Sequence, residues 1–186
     1  GPTWDFAWVR KSNLFLDRIE KMKGTYLEDE PYQHWTAVAR FFRGYEYSRL
    51  VSVFGDVPYY DKVVGDAELV LLYKDRDDRT FVMDKVYDDF VYVLANMRLA
   101  DGNSQYLNRY IAASFISRFM LFEGTWQKYH LGDTEKPAKY LQLAELTTNN
   151  ATPCTTASNA TTNTMMRVRS RRIMALRKKG GTAARH

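Results

Sequence analysis

At 186 residues and 45% hydrophobic content, the chain has material for one domain with a sizeable core and room for a tail. Its single cysteine, Cys154, excludes an internal disulfide and any multi-cysteine zinc site, and no run approaches the roughly 18 apolar residues of a membrane-spanning helix. The net charge of +5 is unevenly held: from Glu145 to His186 eight Lys and Arg face one acidic residue, whereas residues 1–144 carry 19 basic and 21 acidic ones.

Residues 4–23 predict a first helix with Trp4, Trp8, Phe15, Ile19 and Met22 on one buried face and Gly24 as its stop. Lys21 and Lys23 near its end complement the negative pole of the helix dipole. A second helix is predicted from Pro31, where a missing amide costs nothing, to Phe54, with Asp29 or Glu30 as its cap. Within it Phe42, Tyr45, Arg49 and Val53 recur at helical spacing, Trp35, Val38 and Phe41 extend the apolar surface, and Phe42 is expected in the core. Gly55 suits the position just past the helix end, and Pro58 bars a restart at Val57.

Residues 56–80 read as a mixed connection. The apolar patch Leu69–Leu72 fits a short strand or a packed loop, and Asp75 to Arg79 forms a charged turn. Thr80 is the expected cap of a third helix that turns Val86, Phe90, Val93 or Leu94, and Met97 inward before Asp101-Gly102 ends it. A fourth helix from about Tyr106 to Phe122 or somewhat further carries the stripe Ile111, Phe115, Phe119, Phe122 and Trp126, with Ala112 and Ala113 permitting close helix approach. A fifth begins at Pro137. The fold expected over residues 4–144 is all-α, stacked antiparallel helix pairs in a tetratricopeptide-like scaffold.

Residues 145–186 change character. All 27 aromatic residues lie at or before Tyr140, Thr147 to Thr164 is rich in Thr, Asn and Ala, and an arginine-rich run follows. Such composition cannot offset the entropy of ordering, so this tail is expected to be disordered or the product of a reading-frame shift near Glu145. Without aromatics among its arginines it offers no base stacking, and no specific nucleic-acid partner is expected.

Little points to catalysis. His34, His130 and His186 are far apart and fit no metal-ligand spacing, and His34 reads as a partly exposed structural histidine. Cys154 has no nearby histidine in sequence. Asp75, Asp77 and Asp78 lack the glycine and closing glutamate of a calcium loop and read as a solvated turn with local ion pairs. No catalytic residue, metal site or cofactor is expected. Tyr59, Tyr60, Tyr73, Trp126 and Tyr129 fall near helix ends or in loops. They are candidate platforms for sugar rings, against the simpler reading that they pack on the core or cover helix ends.

Three stretches carry a family resemblance. Arg40 to Tyr60 is an aromatic helix ending in Phe54-Gly55-Asp56-Val57-Pro58-Tyr59-Tyr60. Trp4 to Leu16 is a preceding helix with Asn13 before a hydrophobic pair, and Ala112 to His130 is a later helix and its exit. In this order they resemble the SusD/RagB family. The resemblance implies a non-catalytic, glycan-binding outer-membrane lipoprotein, surface-exposed, that presents oligosaccharide to a TonB-dependent (SusC-like) transporter. It also places the signal peptide and lipidated cysteine upstream of Gly1, and most glycan contacts outside this stretch. The chain alone is therefore expected to bind oligosaccharides no tighter than about 100 μM. The alternative reading of the residues is an intracellular helical-repeat interaction module with a basic tail.

Overall fold

The computed structural model of the chain describes residues 3–65, 68, 70, 73–102, 105–132 and 135–151, the last three by backbone alone. Five helices are present among them: α1 (Ala7–Met22), α2 (Asp29–Phe54), α3 (Arg79–Asn96), α4 (Arg109–His130) and α5 (Lys136–Ala151). Of the apolar patch Leu69–Leu72 only Val70 is among the described residues, and it is exposed. Residues 152–186, with Cys154 and His186, lie outside them.

Side-chain pairings fix how the helices run. Phe6 and Asn13 meet Tyr47 and Arg43, so α1 and α2 are antiparallel. Residues 34, 43 and 51 of α2 bond to residues 98, 89 and 79 at and around α3, which reverses direction again. Arg79 with Glu123 and Phe90 with Phe119 do the same for α3 and α4, and Ser117 with the Ala144 carbonyl for α4 and α5. The all-α stack of antiparallel pairs is what the sequence predicts.

Two glycines set the closest approaches. A Cβ on Gly44 would stand 2.6 Å from Cε1 of Phe90, and one on Gly124 would stand 2.8 Å from the Leu141 side chain. Both distances are too short for any side-chain carbon. Ala112 and Ala113 are fully buried, consistent with their expected packing role.

The helix ends differ from expectation at several points: Glu28 precedes α2 without a side-chain capping bond, leaving Asp29 and Glu30 in the first turn, and α3 ends at Asn96 instead of at Asp101-Gly102. Asp78, rather than Thr80, caps α3, its carboxylate accepting the Thr80 N–H at 2.8 Å. Asn108 caps α4 by accepting from Tyr110 and Ile111, and this helix runs on to His130. Gly55, at φ 71°, ends α2 in a region that a side chain would strain. α5 does not stop at Ala144: it continues to Ala151, and the buried Thr147 hydroxyl donates to the Leu143 carbonyl at 2.8 Å.

The buried faces correct the expected stripes. On α3, Val86, Phe90, Val93, Leu94 and Met97 are inside as predicted. On α1 the inward residues are Val9, Ser12, Asn13 and Ile19, while Trp8, Phe15 and Met22 are exposed. On α2 Phe41 is 3% exposed and Phe42 46%, so the core assignment of Phe42 is wrong by one residue; Trp35 and Val53 also face outward. On α4 the core takes Ala112, Ala113, Ile116, Met120, Glu123 and Gln127 instead of Phe115 and Phe122, and Phe119 is only partly buried. The reason is that the inward faces of α1, α2 and α4 carry polar and small residues that a hydrophobic periodicity passes over.

Candidate functional site

The chain leaving α2 is gripped along its length. Asp56 accepts the Arg79 N–H at 2.9 Å, and Val57 is fully buried with its carbonyl accepting the Asp77 N–H at 3.2 Å. Asp77 in turn accepts the Tyr59 N–H at 2.6 Å. The Tyr47 hydroxyl accepts the Tyr60 N–H at 2.6 Å, and Asn13 Nδ2 donates to the Tyr60 carbonyl at 2.8 Å. Asn13 Oδ1 is held by Arg43 at 2.9 Å, and Arg43 also donates to the Asp61 carbonyl at 3.2 Å.

Arg43 itself is buried and forms two bonds of 2.8 Å to Asp89. Burial opposes its charge, but the hydrogen bonds and charge of Asp89 more than offset this and hold its pKa above the ordinary arginine value. A second buried pair anchors the other end of the connection. Arg79 donates to both oxygens of Glu123, the shortest at 2.7 Å, and to the Val51 carbonyl at 3.2 Å in the last turn of α2. Trp126 lies against its guanidinium, 3.7 Å from the ring centroid, and Gln127 donates to Glu123 at 2.8 Å.

Beside the gripped segment opens a groove of about 450 Å³ lined by Trp4, Phe6, Pro58, Tyr60, Lys74, Asp75 and Arg76. Trp4 meets Phe6 and Phe54 edge to face at 5.3 and 5.0 Å, and Phe6 meets Tyr60 in the same way at 5.9 Å. The Arg76 guanidinium stands 5.0 Å from the Trp4 centroid, and Lys74 Nζ stands 5.4 Å from that of Tyr60. A smaller cavity of about 300 Å³ between α2 and α4 is bordered by Tyr45, Phe115, Phe119 and Phe122, with Glu123 already committed to Arg79.

The five candidate platforms do not gather in one place. Tyr60 lines the groove. Tyr59 turns inward against Tyr47 at 4.9 Å, and burial pushes its hydroxyl pKa up to about 12. Trp126 packs against Arg79 and against His130, whose ring centroid is 4.8 Å away. Tyr73 and Tyr129 are 88% and 75% exposed. Trp4, expected on the buried face of the first helix, is exposed and lies before it, as Asp5 signals by accepting the Ala7 N–H at 2.8 Å; neither it nor Lys74 and Arg76 was read as a site residue from sequence.

The acidic turn divides into separate tasks: Asp78 caps α3, Asp77 binds Tyr59 and Lys74, and Asp75 faces solvent. Among the described residues no group of His, Cys, Asp and Glu is arranged to hold a metal ion, and no helix is long and apolar enough to cross a membrane. His34 is fully buried, contrary to its expected partial exposure. Its Nδ1 accepts the Arg98 N–H at 3.2 Å, and Nε2 lies 3.3 Å from Asp101 but off line for a hydrogen bond.

These features meet known proteins in two ways. A family model described as SusD-like, starch-binding and associating with the outer membrane, matches residues 4–121. Among solved structures, a laminarin-binding SusD-like protein superposes with a TM-score of 0.54 at 17% identity, covering 72% of this chain and 27% of that one. A SusD-like protein from Bacteroides fragilis superposes with a TM-score of 0.53 at 20% identity, covering 73% of this chain and 25% of that one. The chain thus spans about a quarter of the length of these structures, and at such identities they speak for the fold alone. Among curated proteins none matches the chain. The family model covers well over half of the chain, and the residues it matches hold α1 to α3, the gripped loop and the first part of α4: the chain belongs to the SusD-like family.

Proposed function

We propose that the chain contributes the helical scaffold of a non-catalytic glycan-binding component of nutrient uptake. It works at the outer membrane, as part of a surface-exposed lipoprotein, with a TonB-dependent transporter of the SusC type. The observation that carries this reading is the family match over residues 4–121, whose description joins starch binding to the outer membrane. The buried arginine clamps fit a scaffold role, because they spend their polar groups on holding one loop in place rather than presenting them to a reacting bond. In mechanism, oligosaccharide is captured by aromatic and hydroxyl-directed contacts and handed on uncleaved.

The test is fractionation of the cells that make the protein, with an epitope tag placed on it. Recovery in the outer-membrane fraction, sensitivity to protease added to intact cells, and co-purification of a TonB-dependent transporter are the expected results. Oligosaccharides incubated with the purified protein keep their chain lengths. Recovery in the cytosol without a transporter overturns the reading and favours an intracellular interaction module.

A further inference from the structure

We propose that the groove between Trp4 and Tyr60 is a carbohydrate subsite for a neutral oligosaccharide, built into the scaffold itself. The proposal rests on the glycan-binding reading above. Three observations support it. First, Tyr60 is a fixed platform: its N–H is bonded to the Tyr47 hydroxyl at 2.6 Å and its carbonyl to Asn13 at 2.8 Å, so its backbone is ordered before any ligand arrives. Second, Trp4 is 46% exposed although Phe6 and Phe54 meet it edge to face and Arg76 stands over its ring, so part of a supported indole remains open to solvent.

The third observation is the charge on the groove wall. Lys74 is paired with Asp77 at 2.5 Å. Asp75 and Arg76 have no ion-pair partner among the described residues, and the Arg76 guanidinium stands 5.0 Å from the Trp4 ring centroid. An exposed carboxylate and an exposed guanidinium fork beside two aromatic surfaces match the ring face and adjacent hydroxyls of a neutral sugar. A uronate would meet Asp75 and an amino sugar would meet Arg76, so either charged class loses with one residue what it gains with the other. A single subsite of this size holds a ligand at about 1–10 mM, in keeping with weak binding by the chain as a whole.

The experiment is an NMR titration of the full chain, reading the Trp4 indole N–H and the amides of residues 59–61 and 74–76. The probes are laminarihexaose and maltohexaose, with trigalacturonate and a chitosan hexamer as the charged arms. The expected result is saturable shifts at these positions with a neutral hexamer, weakened about tenfold or more by Asp75→Ala and by Arg76→Gln. The exposed control Trp8→Ala leaves them unchanged. Both groove variants replace side chains on the groove wall, and the amide spectrum shows directly whether each remains folded. Shifts confined to Trp126 and Tyr129 overturn the groove while leaving the glycan reading intact. Tighter binding of either charged sugar overturns the neutral class, and no shift with any sugar removes the subsite from this chain.

Discussion

Arg43 and Arg79 are the same device used for two purposes. Each is buried, each makes paired hydrogen bonds to a carboxylate on the next helix, and each bonds a backbone carbonyl besides. Arg43 sits mid-helix in α2 and reaches out through Asn13 to the loop at Tyr60–Lys62. Arg79 opens α3 and reaches back to the end of α2, with Trp126 laid against it. The first clamp positions a loop, whereas the second closes the joint between helices. A buried ion pair is a poor source of net stability, so its value here lies in specifying where the intervening segment goes.

Removing one partner of either pair gives the largest expected effect. Asp89→Ala and Glu123→Ala each leave a buried guanidinium uncompensated, at a cost of about 3–5 kcal/mol. Against a typical total stability of about 5–15 kcal/mol, that brings the fold close to its limit. Urea melts measure both. The comparison predicts a further difference in kind: Asp89→Ala raises amide exchange at residues 60–62, and Glu123→Ala raises it around residues 51–56 and 79. The same exchange pattern in both variants breaks the distinction.

A hydrophobic substitution of comparable size tests the face assignment that supports both clamps. Phe41→Ala is expected to cost about 3–5 kcal/mol, and Phe42→Ala under about 1 kcal/mol. Phe41 meets Phe90 and Phe115 at 6.4 and 6.1 Å, whereas the neighbouring Phe42 is 46% exposed. Equal losses in thermal melts would mean that α2 is rotated from the arrangement described.

This pair also shows what was legible in the sequence. Helix existence and order were readable, and so were the stops of α1, α2 and α4, where Gly24, Gly55 and Gly132 stand just past the last helical residue at positive φ; α3 stops at Asn96, before the expected Asp101-Gly102. The inward face of α3 was readable because Val86, Phe90, Val93 and Leu94 recur on it at helical spacing, although Arg79 and Asp89 are buried there too. The faces of α1 and α2 were not, because Asn13 and Arg43 face inward as parts of a polar network, Ser48 faces inward with its hydroxyl donating to the Gly44 carbonyl, and all three look like surface residues in a linear pattern. Tyr60 was identified from its position after Pro58. Its groove partners Trp4 and Arg76 are brought to it only by tertiary structure, 56 and 16 residues away in sequence.

A smaller effect separates the clamps by the one residue only the Arg43 clamp has. Asn13→Ala removes the bonds to Tyr60 and Lys62 and one partner of Arg43, and is expected to cost about 1–3 kcal/mol. Amide exchange at Tyr60 should rise while that around Arg79 stays as in the wild type. A change spread evenly over both regions would show that the clamps are one unit.

The smallest effect comes from a buried base with no buried acid committed to it. His34 accepts the Arg98 N–H at Nδ1, so a proton added there would face another proton. Burial, and then the positive charge of Arg98, lower its pKa below the ordinary 6.5, outweighing the opposite pull of Asp101 and Glu30. Both carboxylates are themselves held low, first by their bonds to Arg98, so they stay charged as His34 titrates. The unfolded chain therefore takes up the proton first as pH falls. The contribution of His34 is complete above the unfolded value and is lost as pH drops below about 6.5, with a slope of up to about 1.4 kcal/mol per pH unit. The Arg43 clamp keeps its cation in this range, since its pKa is held above the ordinary arginine value. Urea melts between pH 7.5 and 5 should show stability declining toward acid in the wild type and a flatter profile in His34→Gln. A profile that rises toward acid would mean that His34 is held charged, with Asp101 as a true ion-pair partner.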